Sequence, residues 1–147
     1  MIEVREIRKC FADEEVLHGI TAQFEKGVTN LIIGRSGSGK TVLMKCIVGL
    51  LEPDAGEVVT ETSRIGYLFQ SGALLAWLTV AENVALPLRE TTDLSDAEID
   101  RKVEAALASV ELTSAAEKYP SEISGGMLKR AGLARAIVRD VDVVLYD

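Results

Sequence analysis

Residues 31–44 read LIIGRSGSGKTVLM, and within them Gly34, Arg35, Ser36, Gly37, Ser38, Gly39, Lys40 and Thr41 fit the pattern G-x-x-x-x-G-K-[ST]. The apolar run VTNLII at 28–33 predicts a buried strand before the loop. Apolar residues almost all round 40–51 predict a helix buried against a sheet after it. Strand, glycine-rich turn and helix form the context this pattern needs. A triphosphate requires many donors at short range, and glycines let successive backbone N–H groups curl around it. The helix starting near Lys40 adds the positive end of its dipole. Lys40 is expected to bridge the β- and γ-phosphates, and the Thr41 hydroxyl to ligate Mg²⁺. Kinases, GTPases, helicases and transport ATPases all use such a loop, so the loop alone does not choose among them.

The rest of the chain narrows the choice. Residues 2–9 alternate with one slip (Ile2, Val4, Ile7), and 16–24 alternate too, predicting two strands joined by the acidic turn ADEE at 12–15. EPDAGE at 52–57 has turn chemistry, and RIGYLF at 64–69 reads as a further buried strand. Thr79 with Glu82, and Ser95 with Glu98, stand at capping-box spacing and predict two helix starts. In the second helix Ile99, Val103, Leu107 and Val110 share one face. KYPSEISGGM breaks the pattern, Met127–Val138 resumes helix, and VDVVLYD ends as a buried strand. The expected fold is α/β with N-terminal strands, a phosphate-loop core and an inserted helical subdomain.

Composition sets the bounds. The chain has 147 residues, 48% of them hydrophobic, which suits one folded domain. It holds no apolar run long enough to span a bilayer, and its N-terminus lacks the order of a signal peptide. A net charge of −7 argues against a nucleic-acid surface. Cys10 and Cys46 have no metal-type spacing and are expected to be buried thiols, and the single His18 excludes a zinc site built on several histidines.

Three further features lie in fixed order: Gln70 after the strand RIGYLF, ISGGM at 123–127 opening a helix, and the apolar run Val143–Tyr146 ending in Asp147. Together with the phosphate loop they resemble the ATP-binding cassette (ABC) ATPases over the whole chain. The resemblance implies a P-loop NTPase core of ABC type. It divides the chain into a β subdomain with the P-loop (1–70), a helical subdomain with the signature loop (71–126) and a return to the core (127–147). ATP is then placed against Phe11, which stacks on adenine, and against Gly34 through Thr41 and Val42. Thr41, Gln70 and Asp147 attend Mg²⁺; Lys40, Gln70 and Asp147 serve the reaction. Ser124, Gly125 and Gly126 reach the γ-phosphate bound by a second ATPase subunit, giving a head-to-tail homodimer. Two positions depart from the usual L-S-G-G-Q: Ile123 keeps the apolar anchor, whereas Met127 removes an amide. Gln70 and Ser124 are 54 positions apart with no sustained heptads, which excludes the long coiled coil of DNA-repair and chromosome ATPases.

FQSGALLAWLTVAENVALPLRE, with ISGGMLKRAGLARAI, is similar to the ATPases of Mla-type phospholipid transporters. That resemblance implies an integral-membrane permease, a mammalian-cell-entry-type lipid-binding protein, and a peripheral location on the cytoplasmic face of a bacterial inner membrane, with no nucleic-acid partner. Leu74, Leu75, Trp77 and Leu78 are partly core and partly a groove for a permease helix on this reading. The alternatives are another importer cassette, for amino acids, methionine or metals, and a non-hydrolysing nucleotide-binding fragment. The last arises because the family places a catalytic glutamate directly after the aspartate that matches Asp147, and a switch histidine farther on. The expectation is a truncated chain that binds ATP–Mg weakly, or folds poorly, and hydrolyses negligibly.

Overall fold

The computed structural model describes residues 1–12 and 14–147, so the ADEE turn lies partly outside the described residues. Two compact units emerge: residues 1–63 with Asp147, and residues 64–146.

In the first unit, β1 (Ile2–Phe11) pairs antiparallel with β2 (Glu14–Phe24) on one side and with β3 (Ala55–Thr60) on the other. The slip in the alternation of β1 is a bulge. Register shifts between Val4 and Ile7, Glu6 takes φ 51°, and Ile2, Val4 and Ile7 are all buried despite their uneven spacing. Thr21 Oγ1 accepts from the Glu6 backbone N–H and donates to the Glu6 carboxylate, which holds the bulge in place. Helix α1 (Lys40–Ile47) buries Leu43, Met44, Cys46 and Ile47 and lies against β2.

Four expectations need correction in this unit. Residues 28–33 form no strand, and Leu31 and Ile33 are 79% and 84% exposed. A strand exists through its pairing neighbours, and among the described residues none pairs with this segment. Residues 55–57, expected as the end of the turn at 52–57, instead open strand β3 (55–60). Their side chains are mostly exposed, so no apolar pattern announces them, and backbone bonds to β1 hold them. Helix α1 stops at Ile47, not 51, because Gly49 (φ 75°) reverses the chain. The Leu50 N–H then bonds the Lys45 carbonyl, and Gly49 N–H bonds that of Cys46. Cys10 is exposed, since it falls at the end of β1 beyond the buried face.

In the second unit, β4 (Ile65–Leu68) and β5 (Val143–Tyr146) pair in parallel, Ile65 with Val143 through Leu68 with Tyr146. Helices α2 (Val80–Thr91), α3 (Asp96–Ser109) and α4 (Gly125–Ile137) pack on one another, with short 3₁₀ turns at Thr113–Ala115 and Pro120–Glu122. Both capping boxes form, at Thr79/Glu82 and Ser95/Glu98. Val80, Val84, Leu88, Ile99, Val103, Leu107, Leu112 and Ala131 form one buried cluster, with Val110 among them, as the helical spacing predicts. Among the described residues no helix is long and apolar enough to cross a membrane.

Candidate nucleotide site

The loop from Gly34 to Gly39 is exposed up to Ser38 and turns in at Gly39, which is buried. Gly39 has φ 86° and is the N-cap of α1. A Cβ there would come within 2.9 Å of Leu17 Cδ2 and 3.0 Å of Val16 Cγ1, so both backbone and packing against β2 demand glycine. Gly37 is also left-handed at φ 76°, and the Ser38 N–H bonds the Arg35 carbonyl. The Lys40 ammonium curls back over the loop, donating to the carbonyls of Gly34 (2.9 Å) and Arg35 (2.8 Å).

Thr41 donates its hydroxyl to an Asp147 carboxylate oxygen at 2.6 Å, across 106 positions of sequence. That contact brings the residue after the lysine together with the last residue of the chain. Val42, in the first turn of α1, is half-buried. Phe11, at the end of β1, is 45% exposed with Lys9 Nζ 5.8 Å from its ring centroid. Lys9 is itself paired with Asp54 at 2.6 Å; it and the Cys10 N–H hold the Asp54 carboxyl below its ordinary range.

Gln70 and Ser124–Gly126 belong to the second unit. Gln70 is exposed in the turn after β4. Ser124 is the N-cap of α4, its hydroxyl accepting from the Met127 N–H at 3.3 Å. Gly125 and Gly126 are exposed, and a Cβ on either would meet nothing within 4 Å. Neither internal packing nor a left-handed backbone requires glycine there. Ile123 and Met127 both pack against the helical core, which explains why an apolar residue is tolerated at each.

The chain matches the ABC transporter family over residues 17–147. It belongs to that family. A structural neighbour of this ABC domain, described as a dimeric post-hydrolysis state of the ATP-binding cassette MJ0796 bound to ADP and Pi, superposes with a TM-score of 0.91 at 28% identity; the match covers 100% of this chain and 73% of that one. Among relatives, the Haemophilus influenzae intermembrane phospholipid transport ATP-binding protein MlaF is 39% identical over 100% of this chain and 61% of its own length. The Mycobacterium tuberculosis probable ribonucleotide transport ATP-binding protein mkl is 38% identical, over 99% of this chain and 45% of its length. The Bordetella pertussis methionine import ATP-binding protein MetN is 40% identical, over 100% and 46%. The ABC domain thus spans about half the length of the curated relatives it matches.

Sequence reasoning overlooked two residues that hold the segment following Gln70. Asn83 is fully buried in α2 and binds that segment on four sides. Its amide donates to the carbonyls of Leu75, Leu78 and Thr79, and its oxygen accepts from the Leu75 N–H at 2.7 Å. The signal was an amide at a helical position whose neighbours in the pattern, Val80 and Val84, are core. Arg135 of α4 is the other, and no local pattern marks it.

Proposed function

We propose that this domain binds ATP–Mg²⁺ as the ATPase subunit of an ABC membrane transporter whose cargo is phospholipid or a related lipid. The Thr41–Asp147 contact carries the reading, because it sets two hard oxygen donors side by side at the mouth of the phosphate loop. Mg²⁺ takes few protein ligands and shares its shell with phosphate and water. A hydroxyl and one carboxylate suit that demand, and among the described residues no larger His/Cys/Asp/Glu cluster exists to suit another metal. The ion would polarise the phosphate oxygens and offset their charge.

The remaining roles fall to this chain's own groups. The α1 N-terminus and the N–H groups of 34–42 receive the phosphates. Lys40 leaves the carbonyls of Gly34 and Arg35 for phosphate oxygens, and Phe11 offers an open ring to adenine. Gln70 orients the attacking water and senses the permease. Ser124, Gly125 and Gly126, open at the start of α4, meet the nucleotide of a second copy in a head-to-tail homodimer. Trp77, 72% exposed, belongs to the surface offered to an integral-membrane permease at the cytoplasmic face of the inner membrane. A mammalian-cell-entry-type lipid-binding protein completes the assembly.

The lipid reading rests on the segment 69–90 and on the relative named for phospholipid transport. The relative named for methionine import supports a second reading, an amino-acid importer. The test is ATP turnover by the protein together with its copurified permease. Stimulation by phospholipid that is lost in Lys40→Ala is expected; stimulation by methionine and not by lipid would replace the first reading with the second.

A further inference from the structure

Two main-chain carbonyls just after Gln70 converge on one side chain of α4. Arg135 Nη1 donates to the Ala73 carbonyl and Nη2 to the Gly72 carbonyl, both at 2.8 Å. In extended chain successive carbonyls point opposite ways. Here Gly72 (φ 75°) and Ala73 (φ 46°) are both left-handed, and both oxygens turn to one side, where a planar two-pronged donor can take them together. Glycine adopts that backbone freely, whereas Ala73 is strained in it.

The turn also touches α4 with little side chain between. A Cβ on Gly132 would come within 2.9 Å of Gly72 Cα, and one on Gly72 within 2.7 Å of the Leu128 carbonyl oxygen. Arg135 is half-buried, burial lowers its pKa, and its hydrogen bonds go to these two carbonyls rather than to a carboxylate. Even a half-buried cation is a costlier way to fill space than an alkyl side chain, so its two-pronged bonding is the feature that needs a reason.

We propose that Arg135 is a positioning residue: its forked guanidinium holds the strained Gly72–Ala73 turn, and with it Gln70, onto the helix that begins at Ser124. Gln70 and the Ser124–Gly126 loop then ride on one piece, and displacement of α4 is passed to the glutamine. Withdrawal of the guanidinium lets Ala73 relax to right-handed backbone and frees the turn. Asn83 independently anchors the far end of the segment through the Leu75 N–H. The roles of Gln70 and Ser124 rest on the nucleotide reading above; the clasp does not.

Amide hydrogen exchange on the nucleotide-free chain tests the clasp. The Gly72 N–H bonds the Phe69 carbonyl inside the turn, whereas the Leu75 N–H is held by Asn83. In Arg135→Ala, exchange at Gly72 should rise by about tenfold or more while Leu75 and the α2 and α3 amides keep their protection. Arg135→Lys keeps a cation without the fork and should fall between; it carries the test if the alanine variant does not fold. Unchanged exchange at Gly72, or an equal rise at Gly72, Leu75 and the helical core, would overturn the proposal. Loss of ATP binding by the wild-type chain would count against the proposed function and leave this result standing.

Discussion

The hydroxyl of Thr41 and the carboxylate of Asp147 are the residues on which the nucleotide reading turns, and one substitution separates charge from geometry. Asp147→Asn keeps an oxygen to accept from Thr41 but removes the negative charge that favours a divalent cation. ATP affinity measured by calorimetry with and without Mg²⁺ should lose about tenfold of its Mg²⁺-dependent part, with thermal stability unchanged. An identical Mg²⁺ dependence would remove Asp147 from the site. The two thiols offer a second check. Cys10 is exposed, whereas burial pushes the Cys46 thiol up, so alkylation at mildly alkaline pH followed by mass spectrometry should mark Cys10 and spare Cys46. The glycine-rich loop was legible in sequence because each of its residue types answers a local demand. The burial of Cys46 was expected as well, whereas the exposure of Cys10 was not, because an apolar neighbourhood in sequence does not say which face of an element points inward.

Among the elements, α2 is the most exacting. Its capping box satisfies two free N–H groups, with Thr79 accepting from Glu82 and the Glu82 carboxylate accepting from Thr79. Thr79→Ala should cost about 1 kcal/mol in chemical denaturation. Asn83→Leu is close in volume, yet it strands the Leu78 carbonyl and the Leu75 N–H and takes one of two donors from each of the Leu75 and Thr79 carbonyls. A loss of about 3 kcal/mol is expected, and a loss no larger than that of Thr79→Ala would mean water replaces the amide. Both capping boxes and the buried face of α3 were readable, since a helix start and a 3.6-residue period are set within a dozen residues. Strand β3 escaped because its stability comes from main-chain bonds to β1 rather than from its own side chains. The segment 28–33 misled for the converse reason: its composition is that of a buried strand, but pairing is not a property of one segment.

At the scale of the whole molecule, charge is the property most open to test. Arg5 holds Glu3 low, Arg8 holds Glu15 low, Lys9 holds Asp54 low, the N-terminal ammonium holds Glu61 low, and Ser95 does the same for Glu98. Each folded-state pKa lies below its unfolded value of 4.5 or 3.8, so each pair stabilises the fold above that value and is lost as pH falls through the depressed one. The melting temperature followed by circular dichroism should be flat from pH 7 to about 5 and drop on acidification below about 4. A decline that begins near neutrality would point to other groups. By itself the sequence determined the phosphate loop, the helix starts, the apolar faces and the family motifs, because each depends on residues close along the chain. The tertiary structure alone decided that Thr41 meets Asp147 across 106 positions, that Arg135 grips the turn after Gln70, and that Leu31 and Ile33 face outward. Those outcomes depend on which distant backbone and side-chain groups arrive beside each residue, and no window of sequence contains that information.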